Sequence, residues 1–426
     1  MGTKRSRVQK HLALFVIVLV LVVTAGFGAM TIYSNYLDNN SGKNDSDVIK
    51  KAESSKSETE VLTWTKEAAE SVESHDEPRE PEETDINKQL YEEALGLGQK
   101  AKLVECADSE RIIFRFAGDI LLDDGYAMMS NFRARGSSLE DTFSPSLLEK
   151  MRSADVFMLN NEFTFTANGA PLEGKQYTFR AKPENVSFFN DLGVDVVSLA
   201  NNHAFDFGEI SIIDTMETLK NAGIEYVGAG ADIDEAMKPV YIIANGAKIA
   251  IVSATQIERN GSPDTKEATQ TSAGVLRCMD PAKLLSVIEE AKANSDFTIL
   301  YIHWGTESQE DTDWLQNDQA PLYADAGVDL IIGDHSHCLQ RLDAVNGVPV
   351  IYSLGNYWFN SKTQNTCLVE VSIKDKKMEY FKFIPCLQSD CRTIELEGEK
   401  REEMLSYMRS ISPNVTIDSD GYVDFS

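Results

Sequence analysis

Short, largely apolar runs that end abruptly in polar residues recur through the chain from residue 111 onward. Five such runs lie at residues 111–117, 155–159, 194–199, 297–302 and 328–332. Runs of this length are typical of buried strands in parallel sheets. Stretches with the apolar spacing of a helix lie between several of them, at residues 209–222, 280–294 and 314–326. The alternation of the two patterns predicts an α/β fold.

Turn signals add antiparallel strands to this pattern. Asn245-Gly246 and Asn346-Gly347 each separate two apolar segments, which is typical of a two-residue β-hairpin. Alternating strands and helices with several hairpins predict a sandwich of two mixed β-sheets flanked by helices. We expect this domain to span residues 110–392 and to be followed by an acidic C-terminal tail at residues 393–426.

The first 33 residues have a different pattern. A basic flank, residues 1–11, precedes an uncharged apolar segment at residues 12–33. That segment is long enough, at about 20 residues, to cross a bilayer as a single transmembrane helix. The basic flank predicts a cytoplasmic N-terminus, so the protein is expected at the cell membrane with its C-terminal domain extracellular. A cleaved signal peptide with a cut at Ala25 or Ala29 is the alternative, but the apolar run continues past Ala25, which favours an uncleaved anchor.

Composition separates the anchor from the folded domain. Residues 34–109 are rich in Lys, Glu, Ser and Asp and poor in apolar residues, which predicts a disordered acidic stalk with a short helix near residues 86–97.

The whole chain has 40 Lys and Arg against 68 Asp and Glu, a net charge of −28. Such a chain lacks the basic surface that nucleic-acid binding requires. We expect Lys175, Arg180 and Lys182 to be solvated, although they could meet carboxylates or phosphates.

The polar residues at the strand ends have the chemistry of a metal site. They are Asp119, Glu162, Asn202, His203, His303, His335 and His337. Each taken singly has a simpler interpretation, such as a turn, a helix cap, an ion pair or a buried histidine. Because the carboxyl ends of parallel strands meet at one edge of a sheet, their recurrence favours a shared site.

The spacing of these residues indicates how they act. His335 and His337 alternate along what is predicted to be an extended backbone, which would direct both imidazoles to one face. Carboxylate, amide and imidazole ligands together suit one or two divalent ions of Mn, Fe or Zn. Asp206 follows His203 by three residues and can hold its imidazole by a hydrogen bond. Such an Asp–His pair can act as a general acid for a leaving group. No C-x-x-C spacing occurs, and a disulfide between Cys386 and Cys391 remains open.

The order of the motifs is specific. They are Gly118-Asp119, Asn161-Glu162, Ala200-Asn201-Asn202-His203 with Asp206, His303-Trp304-Gly305, Gly333 with His335 and His337, and Ser353-Leu354-Gly355-Asn356. This order resembles the CapA family of poly-γ-glutamate capsule synthesis proteins, in the calcineurin-like metallophosphoesterase superfamily. The resemblance implies a metallophosphoesterase-like sandwich. It also implies a role in the biosynthesis, export or anchoring of poly-γ-glutamate, together with other membrane subunits of a capsule synthesis complex.

The resemblance further implies roles for individual residues in a metal-dependent hydrolase of a phosphoester or γ-amide. Asp119 and His337 would bind a first metal and Glu162 would bridge. The second metal would be bound by Asn202, His303 and His335, leaving His203 as the catalytic acid. Leu121 stands where the superfamily pattern has a histidine, so the first metal is expected to have fewer ligands. The alternative is a non-catalytic polymer-binding subunit.

Overall fold

The computed structural model describes residues 83–257 and 266–426. The predicted cytoplasmic flank, the predicted transmembrane anchor and the predicted stalk up to residue 82 lie outside these residues. Among the helices of the described residues, none is long and apolar enough to span a bilayer.

The described residues contain nine α-helices and twenty-one β-strands. The helices are α1 (Glu83–Gly96), α2 (Ala127–Ala134), α3 (Pro145–Arg152), α4 (Ser187–Leu192), α5 (Glu209–Asn221), α6 (Ile233–Ala236), α7 (Ala282–Ala293), α8 (Trp314–Ala326) and α9 (Gly398–Ile411). The strands are β1 (Lys100–Leu103), β2 (Arg111–Ile120), β3 (Val156–Asn161), β4 (Thr164–Phe165), β5 (Arg180–Ala181), β6 (Val196–Ser198), β7 (Glu225–Val227), β8 (Ala229–Gly230), β9 (Val240–Ala244), β10 (Ala247–Thr255), β11 (Gly274–Val275), β12 (Phe297–Trp304), β13 (Leu330–His335), β14 (Leu342–Val345), β15 (Val348–Ile351), β16 (Asn356–Trp358), β17 (Gln364–Lys374), β18 (Lys377–Ser389), β19 (Arg392–Glu395), β20 (Thr416–Ile417) and β21 (Tyr422–Asp424).

Most strands belong to two large mixed sheets. Sheet A has the order β1-β9-β10-β12-β13-β15-β14, and sheet B has the order β20-β21-β18-β17-β2-β3-β6-β7, with β16 beside β2 and β19 beside β18. The neighbours β10, β12, β13 and β15 are parallel in sheet A, as are β2, β3, β6 and β7 in sheet B. The predicted α/β architecture with mixed sheets flanked by helices is confirmed.

An apolar core lies between the two sheets. Phe116 of β2 and Ile251 of β10 belong to the same buried cluster, which joins the inner faces of both sheets. The outer face of sheet B is covered by helices that include α4, through Phe189, and the outer face of sheet A by helices that include α7, through Ile288. Because both faces of each sheet are covered, the central strands are apolar almost throughout, which explains the unbroken runs in the sequence.

The folded domain extends beyond the predicted limits of residues 110 and 392 at both ends. Helix α1 confirms the short helix predicted near residues 86–97. Strand β1 also lies within the predicted stalk and pairs in parallel with β9 at the edge of sheet A. Helix α9 lies within the predicted tail and packs Met404, Leu405 and Met408 into the core between the sheets. In both segments a few apolar side chains at the right spacing anchor an acidic stretch, and average composition does not reveal them.

Local turn chemistry agrees with the sequence pattern. The hairpins at Asn245-Gly246 and Asn346-Gly347 are confirmed, and all four residues have the positive φ that a type I′ turn requires. Helices α2, α3 and α4 were not predicted, because six to eight residues carry too little periodic signal.

The six cysteines are free thiols, so Cys386 and Cys391 form no disulfide.

Candidate metal centre

The carboxyl ends of the parallel strands of both sheets meet at one edge, where the eight predicted site residues gather. Sheet B contributes Asp119 at the end of β2, Glu162 after β3, and Asn202, His203 and Asp206 in the loop after β6. Sheet A contributes His303 in β12, His335 at the end of β13, and His337 in the turn that follows. All are buried except His337, which is partly exposed. The structure therefore brings the whole set together.

His303 is at the centre of one half of the site. Its Nε2 atom lies 2.8 Å from Oδ1 of Asn202, 3.0 Å from Nδ1 of His335 and 3.7 Å from Oε1 of Glu162. On its other side, Nδ1 lies 2.8 Å from Oδ1 of Asp334. Burial lowers the pKa of His303 to about 3, so the imidazole is neutral and carries one proton.

The position of that proton decides what the Nε2 atom can do. Burial, and after it the charge of Asp119, raises the pKa of Asp334 well above its ordinary value, and a cation in the site would favour the ionised form. With a cation bound, the Asp334 carboxylate favours the proton on Nδ1, as in histidines that ligate metals. The lone pair on Nε2 of His303 then faces an amide oxygen, a second imidazole nitrogen and a carboxylate oxygen. Burial also lowers the pKa of His335 well below its ordinary value, so that ring is neutral as well. A cation among these atoms would satisfy all of them.

Glu162 supports the same interpretation. Both of its carboxylate oxygens are buried, and neither has a hydrogen-bond partner among the described residues. Burial, and after it the charges of Asp119 and Asp334, raises the pKa of Glu162 well above its ordinary range. An ionised carboxylate without a partner is costly to bury, and a divalent ion would offset that cost.

The spacing of the candidate ligands also fits a metal ion. With metal–ligand distances of about 2.1 Å, neighbouring ligands of an octahedral ion lie about 3.0 Å apart. The contacts of 2.8 and 3.0 Å around Nε2 of His303 agree with that value. By distance alone, Glu162, His335 and His337 form one group of possible ligands, and Asp119, His303 and Asp334 form another. We interpret Asp334 as the residue that orients His303, because its hydrogen bond is to Nδ1, whereas Asn202, His335 and Glu162 approach Nε2.

The other half of the site is built around His337. Its Nδ1 atom lies 3.1 Å from Oδ2 of Asp119 and 2.9 Å from Oδ1 of Asn356. Burial acts to raise the pKa of Asp119, but the hydrogen bond and charge of His337 outweigh it, and the net pKa is lowered. Leu121 packs into the apolar cluster on the outer side of sheet B and contributes no ligand here.

The predicted extended geometry of His335, Ser336 and His337 is wrong. Strand β13 ends at His335, and both histidines have positive φ, 89° and 56° respectively. Residues other than glycine seldom adopt such values, and when they do they cluster at functional sites. The turn is held by Oγ of Ser336, which donates to the carbonyl of Cys338 (3.0 Å), and by Ser308 N–H, which donates to the carbonyl of Ser336 (2.8 Å). The two rings still lie close, 5.7 Å between centroids.

His203 and Asp206 form the expected pair. Nδ1 of His203 lies 2.7 Å from Oδ2 of Asp206, which also accepts a hydrogen bond from Phe179 N–H (2.6 Å). The other oxygen of Asp206 accepts a hydrogen bond from Nζ of Lys175 (2.6 Å), which also donates to the backbone carbonyl of Asn202. Nε2 of His203 points towards Glu162, 4.0 Å from Oε1. The side chain of Lys175 is only 7% exposed, so its interpretation as solvated surface is wrong.

Several supporting residues escaped the sequence analysis. Nδ2 of Asn160 donates to Oδ1 of Asp119 (2.9 Å), and Nδ2 of Asn201 donates to Oδ1 of Asn160 (2.9 Å). Oδ1 of Asn201 in turn accepts a hydrogen bond from His203 N–H (3.0 Å). Asn201 directly precedes Asn202, Asp334 directly precedes His335, and Asn160 lies two residues before Glu162. Closeness in sequence to a predicted ligand is the signal that could have identified these three residues.

Residues 114–361 match the family model described as "Bacterial capsule synthesis protein PGA_cap". The match covers more than half of the chain and includes all eight predicted site residues. The chain belongs to this family of bacterial capsule synthesis proteins.

Individual relatives match about half of the chain. It is 32% identical over 215 residues to "PGA biosynthesis protein CapA" of Bacillus subtilis, covering 50% of this chain and 55% of that protein. It is 33% identical over 218 residues to "Capsule biosynthesis protein CapA" of Bacillus anthracis, covering 50% and 52%. A "probable polyglutamine synthesis accessory protein" of Mycobacterium tuberculosis is 31% identical over 210 residues, covering 48% and 55%. The chain thus spans about half the length of the curated relatives it matches.

Proposed function

We propose that this protein acts in poly-γ-glutamate or capsule polymer biosynthesis, export or anchoring, as a metal-dependent hydrolase of a phosphoester or γ-amide bond in the polymer. Family membership and the names of the relatives support the polymer. The hydrolase rests on one observation. Oδ1 of Asn202 and Nδ1 of His335 converge on Nε2 of His303, and beside them lies the His203–Asp206 pair, whose Nε2 faces the same site.

The residues divide between two ion positions. Asn202, His303 and His335 would hold one divalent ion, Asp119 and His337 would hold the other, and Glu162 would contact both. This mixture of oxygen and imidazole ligands suits Mn, Fe or Zn. Ions bound there would polarise a phosphoryl or carbonyl oxygen and lower the pKa of bound water.

The protein's own acid–base chemistry lies on His203. The Nδ1 proton is donated to Asp206, so Nε2 is the atom that can hold a proton towards the substrate and pass it to the leaving group. Asp206 keeps the ring in this orientation and stabilises its protonated form, and it is itself held by Lys175 and by Phe179 N–H. The ring of Phe179 packs 4.3 Å from that of His203, between centroids, and shields it from water.

We further propose that the domain is extracellular, of metallophosphoesterase-like type, and attached to the membrane by a single helix. The apolar segment at residues 12–33 with its basic flank supports the anchor and its orientation. The shared core between two mixed sheets, with the candidate centre at their carboxyl edge, supports the fold type.

Metal content and hydrolysis measured on the full chain test the hydrolase proposal. The wild type should bind divalent metal and cleave generic phosphoesters or poly-γ-glutamate. His203→Gln should keep its metal and lose roughly a hundredfold to ten-thousandfold in kcat, because only the proton donor is removed. His75→Gln, the same change at a histidine outside the set, is the matched control and should behave as the wild type. Metal-loaded wild type that cleaves neither class of substrate would refute the hydrolase.

A non-catalytic polymer-binding subunit is the second candidate, favoured by one observation. Leu121 is buried in the core where an imidazole ligand is expected, so the first ion position has fewer recognised ligands. In that case His203→Gln leaves polymer production unchanged, whereas His335→Ala reduces it. Loss of polymer production in His203→Gln with metal retained would exclude this candidate.

A further inference from the structure

We infer that Asn356 is a metal ligand at the first ion position and supplies the coordination that Leu121 does not. This inference rests on the proposed metal centre and adds a ligand to it. Asn356 belongs to the Ser353-Leu354-Gly355-Asn356 motif, which has no role in the mechanism above.

The position of Asn356 follows from strand pairing. Strand β16 runs parallel to β2, with Asn356 directly opposite Asp119. The side chain is buried, with 1% exposure, and its Oδ1 lies 2.9 Å from Nδ1 of His337. Oδ2 of Asp119 lies 3.1 Å from that same nitrogen. The three atoms have the spacing of neighbouring ligands on one ion, as do those around His303.

The orientation of the Asn356 amide is fixed by a second amide. Nε2 of Gln364 donates to the backbone carbonyl of His337 (3.1 Å), and a carbonyl can only accept. Oε1 of Gln364 therefore faces Asn356 and accepts a hydrogen bond from its Nδ2 (3.1 Å). The oxygen of Asn356 is consequently the atom that faces Asp119 and His337, which is the orientation a metal ligand requires.

The backbone is built for this close approach. A side chain on Gly118 would place its Cβ 2.0 Å from the carbonyl oxygen of Gly355, so only glycine allows β2 and β16 to meet here. The N–H of Asp119 donates to that same carbonyl (3.3 Å). The Gly118-Asp119 and Gly355-Asn356 motifs, far apart in sequence, therefore form one structural unit that delivers two oxygens to one point.

A role confined to hydrogen bonding makes a different prediction. A protonated Nδ1 of His337 could donate to both oxygens, and Asn356 would then only orient the ring. In that case the bond to Asp119 remains when Asn356 is replaced, and the number of bound ions does not change. Counting the ions therefore separates the two roles.

The experiment measures Mn²⁺ binding to the full chain by elemental analysis and by electron paramagnetic resonance. The variants are Asn356→Ala, which removes the ligand, and Asn356→Asp, which keeps an oxygen in place. Asn360→Ala is the matched control, because Asn360 is the same residue type just after β16 and bonds to Lys362 N–H and Gln388 instead.

The wild type and Asn360→Ala should each bind two ions and show the signal of a coupled pair. Asn356→Ala should lose one ion, or bind it more than about a hundredfold more weakly, because a residue that only orients a ligand costs about 10- to 100-fold, and it should show an isolated-ion signal. Asn356→Asp should keep both ions and bind the first more tightly, because a carboxylate adds charge.

Two ions bound by Asn356→Ala, with an affinity for the first that lies within about a hundredfold of the wild type, would overturn the inference and leave the proposed function intact. Should Asn356→Ala fail to fold, as judged by circular dichroism, Asn356→Asp decides the matter, since unchanged or weaker binding of the first ion would also overturn the inference. A folded wild type that binds no Mn²⁺, Fe²⁺ or Zn²⁺ would instead refute the proposed metal centre itself.

Discussion

The two sheets contribute different chemistry to the candidate centre. Sheet A and the turn after it supply imidazoles, from His303, His335 and His337. Sheet B supplies the oxygens of Asp119, Glu162 and Asn202, from strand ends and the loops after them. Neither set alone has the composition of a mixed-ligand site. The candidate centre therefore forms only where the two sheets meet. Metal binding and the packing of the sheets should for this reason depend on each other.

Hydrogen bonds across the core connect the two sheets just below the centre. The hydroxyl of Tyr301 in β12 donates to the backbone carbonyl of Ala117 in β2 (2.9 Å), two residues before Asp119. The hydroxyls of Ser198 in β6 and Ser253 in β10 lie 2.8 Å apart. These bonds fix strand positions at the point where the apolar core gives way to ligands.

We expect the largest loss of metal affinity when the central imidazole of sheet A is removed. His303→Ala should lower the affinity for the metal at the second position by more than about a hundredfold, since even outer-shell changes at metal sites cost 10- to 100-fold. Hydrolysis should be lost with the ion. Metal content after dialysis is the measurement. Asn202→Ala, which removes a neutral oxygen from sheet B at the same position, should weaken binding less, and the opposite ranking would contradict the assigned roles.

Chelation tests whether metal joins the sheets. An ion at roughly one hundred times its Kd stabilises the folded state by about 2.7 kcal/mol. A chelator should therefore lower the Tm of the metal-loaded wild type, as followed by calorimetry. The His303→Ala variant should show a much smaller shift, because less ion is bound. Equal shifts in the two proteins would mean that the chelator acts elsewhere.

The orienting role of Asp334 can be tested without removing a ligand. Asp334→Asn keeps an oxygen for Nδ1 of His303 and loses the negative charge that favours the proton there, so metal affinity should fall about 10- to 100-fold. Asp329→Asn is the control, because Asp329 precedes the opposite end of β13 and bonds to Thr298 N–H and Lys292. Titration with Mn²⁺ measures both. An affinity equal to the wild type in Asp334→Asn would exclude the role.

The smallest expected effect concerns the bond beneath the centre. Tyr301→Phe removes the hydroxyl that links β12 to β2 and leaves the carbonyl of Ala117 without that donor, which should cost about 1 kcal/mol of unfolding free energy. Denaturant unfolding measures the change. Metal affinity should fall slightly as well if strand position matters to the ligands, whereas a loss of stability alone would limit the role of Tyr301 to the core.

The predictable parts of the fold are those in which burial produces a local pattern of apolar residues in the sequence. The central strands, α5, α7, α8 and both Asn-Gly hairpins follow from apolar runs, helical spacing and turn residues. Strand β1 and helix α9 were missed because each is anchored by contacts with sequence-distant strands. Pairing of β1 with β9, and burial of Leu405 between the sheets, leave no signal in the composition of an acidic segment.

For the site, the sequence by itself determined which residues gather at the candidate centre, because polar residues placed directly after apolar parallel strands lie at one edge of a sheet. It also identified the His203–Asp206 pair, since three residues of spacing suffice to close that bond. Only the tertiary structure decided that the imidazoles and the oxygens come from opposite sheets, that Asp334 holds His303, and that Asn356 lies against Asp119. These pairings join residues 31 or more positions apart, and they depend on how the two sheets stack and on the close approach that Gly118 permits.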